Sequence, residues 1–292
     1  MTLEGLICKR IELAVAGLVA VYTEAPAVFW QYSPHDKDKG WGDAVQYPRV
    51  DYMLDLQAST SRQTSGVLSI NIWCLKDGTQ PEILERLIRR YLSGVFFCPD
   101  DSIPYALGWS KSDVFERREQ LQKESRVIGM SMSFDLFAFP YRETTDPDPV
   151  AAMYAHIKQR WPDVKLIGFD DFKDYYTPSA QNPALYFNAA QIKRQRETNT
   201  VVWMDGVLSG HVFAPDTDSG EVWSKHILDG LALDGEAIML DQSPMIFTSL
   251  AADNTADPLR TGQLGIGIRF GVLRDFYAGI PILNPIVQYN GG

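Results

Sequence analysis

The feature that most constrains this 292-residue chain is internal repetition. Two proline-led segments, Tyr47-Pro48-Arg49-Val50 and Asn182-Pro183-Ala184-Leu185, are each followed by the same tetrapeptide, Gly66-Val67-Leu68-Ser69 and Gly206-Val207-Leu208-Ser209. Farther on, Gly129-Met130-Ser131-Met132-Ser133-Phe134 matches Gly265-Ile266-Gly267-Ile268-Arg269-Phe270, with Gly and Phe at equal spacing. The separations are 135, 140 and 136 residues. One shared tetrapeptide arises by chance, but three matches in order at nearly one offset predict a tandem duplication.

The order of expected elements repeats as well. In the first half a helical stretch, Leu3–Tyr22, leads to strand candidates at Tyr47–Leu56 and Ser65–Cys74, the second with alternating apolar residues. Pro81 opens an amphipathic helix to Ser93, with Ile83, Leu84, Leu87, Ile88 and Leu92 on one face. Strand candidates follow at Ser110–Gln122 and Val127–Phe139. The second half offers a helix at Val150–Gln159, strands at Ala184–Ile192 and Thr200–Phe213, a helix at Glu221–Leu231, an irregular stretch at Ile238–Leu250 and a strand at Gly262–Leu273. Tyr141–Pro149, rich in Thr, Asp and Pro, reads as an exposed joint. The expected fold is therefore α+β: two similar tandem domains, residues 1–146 and 147–292, each an antiparallel sheet packed with helices.

Charge narrows the partners. With 27 Lys+Arg against 37 Asp+Glu the chain carries −10, so its surface as a whole repels nucleic acid and anionic membrane. Any contact with DNA is expected to be local or non-adhesive. Cys8, Cys74 and Cys98 are odd in number and lack CxxC spacing, which fits a reducing compartment and small buried apolar residues. Lys9, Arg10 and apolar Leu13–Val21 have the outline of a leader. The basic pair comes late, Glu12 intrudes, and the run is too short to span a bilayer, so the segment reads as a cytoplasmic helix.

Nothing in the sequence points to an enzyme, a metal or a cofactor. His35, His156, His211 and His226 never stand three or four residues apart, and His211 and His226 read as packing or rim residues. Gly265-Ile266-Gly267 starts like a dinucleotide fingerprint, but Phe270 occupies the third glycine's place, and strand glycines more often mark a bulge. Asp100-Asp101 and Asp170-Asp171 read as solvated loop charges. The aromatic stretch Val28–Trp41, with Phe29, Trp30, Tyr32 and Trp41, is either a contact loop or a flap over a core. One basic cluster, Lys193, Arg194 and Arg196, interrupts the acidic background; its first-half counterpart, Ser59–Thr64, carries only Arg62. These four are the candidate contacts to an acidic neighbouring subunit or to passing DNA.

The unit of helix, proline-led hairpin, amphipathic helix and closing strands resembles the phage tail terminator family. The likeness is clearest over Pro183–Phe213 and Ala214–Leu231, and Tyr47–Leu92 shares the layout. The resemblance implies a structural virion protein that rings the end of the tail tube and joins it to the head-neck connector. Assembled in the host cytoplasm, it would meet tube and connector proteins, with genomic DNA passing through. Another tail or neck component, such as a tube, connector-adaptor or baseplate protein, is the alternative, and an enzyme with a site the sequence hides is the competing class. Family members have one domain at about half this length, so six-fold tails imply either six chains with specialised domains or three chains with six equivalent ones. The halves have diverged in charge: 16 basic and 20 acidic residues (−4) against 11 and 17 (−6). That divergence favours the hexamer.

Overall fold

In a computed structural model, which describes residues 1–34, 38, 41, 45–100, 103–118 and 126–274, both halves are built on one topology. The first runs α1 (Leu3–Val15), a small hairpin β1 (Val21–Tyr22) and β2 (Ala25–Pro26), β3 (Val28–Trp30), β4 (Arg49–Asp55), β5 (Gly66–Leu75), α2 (Pro81–Leu92), β6 (Phe96–Cys98), β7 (Tyr105–Arg118) and β8 (Arg126–Ala138). The second runs α3 (Pro149–Arg160), β9 (Lys165–Leu166), β10 (Asp174–Tyr176), β11 (Ala184–Glu197), β12 (Val201–Phe213), α4 (Thr217–Asp234), β13 (Glu236–Ile238), β14 (Pro244–Ala252) and β15 (Leu264–Leu273). Across the first sheet the order is β6-β7-β8-β5-β4-β3, and across the second β13-β14-β15-β12-β11-β9. Even the parallel edge recurs: β3 runs parallel to β4, and β9 to β11. This is the expected α+β fold with two antiparallel-rich sheets.

Local chemistry sets the helix ends. Thr2 caps α1 by accepting from the Gly5 N–H, and the helix stops at Val15 rather than at Tyr22 because Gly17 turns the chain at φ 73°. Pro81 and Pro149 occupy first-turn positions, where a missing N–H costs nothing. Asp216 caps α4 through the Ser219 N–H at 2.8 Å, so this helix starts four residues earlier than its apolar pattern suggests. Each sheet buries one face under its helices. Leu6, Ile7, Ile11, Leu84 and Ile88 meet Leu68, Ile70, Ile72 and Phe134 in one core. Tyr154, Ile157, Ile227 and Leu231 meet Leu185, Leu208, Ile266 and Phe270 in the other.

Strand registers test the sequence matches pair by pair. Val50 faces Ile72 as Leu185 faces Val212, and Leu68 faces Phe134 as Leu208 faces Ile266. The proline match and the Gly-Val-Leu-Ser match are therefore structurally in register. The third is not: Phe134 corresponds to Ile266, four residues from Phe270. An even slip leaves every side chain on its own face of the sheet, which is why the sequence tolerates the misalignment.

The halves share more than a joint. β10, from the second half, pairs antiparallel with β6 and becomes the seventh strand of the first sheet. Above this seam a third core combines Phe96, Cys98, Ala106, Phe137 and Phe139 with Ile167, Ala184, Tyr186 and Phe213. Phe139 meets Phe96, Phe213 and Tyr186 edge-on at 5.6, 5.3 and 5.2 Å, and each such pair contributes about 0.5–1.5 kcal/mol beyond area burial. Gly168, at φ 79°, brings its backbone so near the first half that a Cβ would stand 2.8 Å from the Phe139 carbonyl oxygen.

Candidate partner and nucleic-acid contact surface

The basic cluster lies on the β11–β12 hairpin, the longest arm of the second half. Its tip is drawn out because the strands keep pairing as far as Glu197 and Val202. Two register breaks, between Ala189 and Gln191 and between Arg194 and Arg196, twist the arm. Lys193, Arg194 and Arg196 are all exposed. They are partly compensated: Arg194 pairs with Glu197, and Lys193 stands across the ladder from Asp205. Asp205 accepts from Arg269 Nε at 2.8 Å, a hydrogen bond that holds its carboxyl below the usual range. Glu197 also receives Arg274. Register thus adds Arg269 and Arg274, which the sequence reading missed because they lie about 75 residues downstream of the cluster. Together the arm and the neighbouring end of β15 carry five cations against Glu197 and Asp205.

Arg62 belongs elsewhere. Its guanidinium pairs with buried Asp135, which also accepts from Arg260 of the second half at 2.6 Å. Arg260 in turn donates to the Arg62 carbonyl oxygen at 2.6 Å. Arg62 is therefore a clasp between the halves and is not brought together with the arm.

The other singled-out residues are accounted for by packing. His211 is buried in the seam, donates from Nδ1 to the Pro258 carbonyl oxygen at 2.7 Å and stacks beside Phe213; burial lowers its pKa. His226 sits between Trp161 and Trp223, and His156 meets Asp234 at 3.1 Å. Asp170 is not a solvated loop charge, because it accepts from the Leu166 N–H at 2.9 Å and pairs with Lys158 at 2.7 Å. Asp100 is exposed and pairs with the N-terminal ammonium. Cys74 and Cys98 are buried, which pushes their thiols up to about 12 and about 11; Cys8 is half-buried beside Glu12. Gly267 lies where a Cβ would come within 2.3 Å of Ser249 Oγ, at the β14 bulge. His35, Asp101 and residues 119–122 lie outside the described residues.

A groove of about 480 Å³ follows the seam, lined in part by Arg142, Glu143, Tyr186, His211 and Arg260. His211 is its one histidine and is already engaged with Pro258. Among the described residues no three His, Cys, Asp or Glu gather as a metal site, and no helix is long and apolar enough to cross a membrane. No family model, curated protein or solved structure matches the chain.

Proposed function

We propose that this chain is a structural virion protein, a tail terminator that forms a ring closing the phage tail tube and joining it to the head-neck connector. The observation that carries the reading is the way the halves join. Two copies of one fold sit side by side, and a strand of one completes the sheet edge of the other. Such a contact is heterologous, joining different faces of like units, and repetition of it generates rings when the rotation closes. The net charge of −10 suits a conduit, because a surface that repels phosphate lets DNA slide. The arm with Lys193, Arg194 and Arg196 is the local exception, placed to touch an acidic neighbour or the passing duplex.

The lateral packing also bears on stoichiometry. Each chain offers two adjacent copies of one fold, so three chains would match a six-fold tail, against the six that charge divergence favours. Negative-stain microscopy and native mass measurement test both statements. Rings of three chain masses are expected, attaching to the head-proximal ends of terminator-deficient tails. Failure to form rings, alone or on such tails, overturns the reading.

A further inference from the structure

The seam between the halves has an unfilled twin. Ladder by ladder, β6 corresponds to β13: Phe97 faces Tyr105 as Ala237 faces Met245, and Phe96 faces Ala106 as Glu236 faces Ile246. Across the next ladder Ala106 faces Phe137 as Ile246 faces Arg269. In the first half these positions are covered: every residue of β6 is buried, as are Ala106 and Phe137. In the second half Ala237 and Met245 are buried on one face of the sheet, but the counterparts on the other stand open, with Glu236 exposed, Ile238 51 % and Ile246 41 % exposed and Leu240 just beyond at 69 %. Among the described residues β13 pairs on one side only, leaving a strand edge with unspent backbone donors and acceptors.

The surface that covers β6 also has its twin. Ala184 faces Phe213 as Arg49 faces Trp73, and Tyr186 faces His211 as Asp51 faces Asn71. Leu166 faces Leu185 as Val28 faces Val50, so Ile167 and Gly168 correspond to Phe29 and Trp30. On this face of the first half, Trp30 and Tyr32 are exposed.

We propose that the open β13–β14 edge is covered by a second copy of this chain, through the Phe29–Tyr32 side of its first half, repeating between chains the seam within one. The inference rests on the ring reading only for the statement that copies associate. The chemistry of the two sides argues for a second copy. Phe96 and Phe137 of the internal seam become Glu236 and Arg269, while Ala184 and Tyr186 become Arg49 and Asp51. The permanent seam is apolar; its twin sets exposed Glu236 and half-buried Arg269 beside open Ile238 and Ile246 on one side, as suits a surface that is wet before assembly. On the other side Arg49 and Asp51 are buried within their own half, and Trp30 and Tyr32 are the exposed contacts. Bulk changes sides too: Phe139 meets Gly168 within the chain, whereas Gly271 would meet Trp30 between chains.

A mixing experiment decides it. Variant A carries Ile238→Arg and Ile246→Glu; variant B carries Trp30→Glu and Tyr32→Arg. Each is expected to keep the wild-type circular dichroism and to run at one chain mass where wild type assembles. Mixed one to one, they should give two chain masses and nothing larger, because each keeps the face the other lost. Should variant B unfold, Tyr32→Arg alone, at a side chain 82 % exposed, replaces it. Wild type fixed at one chain mass at every concentration, either variant still assembling, or a mixture that stays monomeric overturns the inference. Two-chain complexes from a protein that never binds tails would sink the tail reading and leave this one standing.

Discussion

Asp51 shows how a single side chain sets pH behaviour here. It is buried on β4, where it accepts a hydrogen bond from Trp73, and Arg49 lies nearby with its guanidinium 4.7 Å from the Tyr47 ring. Burial outweighs both partners and pushes the carboxyl up to about 6. The unfolded chain releases this proton near the ordinary value of about 4. The folded state therefore holds a proton the unfolded state has lost, and stability falls as pH rises from about 4 to about 6 and stays lowered above that window. Asp51→Asn keeps an acceptor for Trp73 and removes the charge. We expect it to gain about 1–3 kcal/mol at about pH 7 and almost nothing at about pH 4. Urea unfolding at the two pH values checks this; an equal effect at both would refute the titration. Asp135 is buried as well, but it is held by Arg62 and Arg260 from opposite halves. Arg260→Ala should cost about 1.5–3 kcal/mol, the contribution typical of a hydrogen bond to a charged group. Because Arg260 is 36 % exposed, the low end of that range is expected in thermal or urea unfolding.

At the scale of elements, the decisive contact is Phe213 at the end of β12. Its ring meets Phe96 at 4.8 Å and Phe139 at 5.3 Å, tying the last strand turn of one half to the sheet edge of the other. Phe213→Ala should cost about 3–5 kcal/mol and speed hydrogen exchange in β6 and β10 well before β14 and β15. Uniform loss of protection would mean that the seam is not a separate cooperative unit. The elements on either side of this seam also mark what the sequence could reveal. The four helices and most of the long strands carry enough residues for a period of 3.6 or 2 to emerge, so they were legible. β14 was not, because only Met245 of its nine residues is buried and no alternation marks it, so Ile238–Leu250 read as irregular. β3, β9 and β10 have two or three residues each, too few for any period, and β10 draws its partner from the other half. Its Tyr175-Tyr176 pair is the only local hint. The same limit applies to the surface: Lys193, Arg194 and Arg196 stand together in sequence, but Arg269 and Arg274 join them only through the ladder. Arg62 read as an exposed tip cation, because nothing local reveals Asp135, 73 residues away. Of the aromatic stretch, Trp41 proved to be a flap, buried with Phe29 and Tyr22, while Trp30 and Tyr32 face outward.

For the whole molecule, the joint at Tyr141–Pro149 is a tether rather than the bond that holds the halves. It is fixed at its end by Asp148, which accepts from Tyr141, Thr144 and the Val150 N–H, but Arg142 and Glu143 are exposed. The attachment itself comes from three pairs of β10 with β6, the aromatic seam, the Arg260–Asp135 clasp and Tyr175, whose hydroxyl donates to the Leu6 carbonyl oxygen at 2.8 Å. A protease site inserted between Arg142 and Glu143 leaves all of these contacts in place. Cutting there removes only the effective concentration that the tether supplies, and an obligate apolar seam does not depend on it at ordinary protein concentrations. The two fragments should therefore migrate together at the size of the intact chain in gel filtration and part only in urea. Their midpoint should become concentration-dependent once unfolding also means dissociation. Fragments that separate in native buffer would make the halves independent beads on a string, and a chain built that way could not act as two neighbouring positions of one ring.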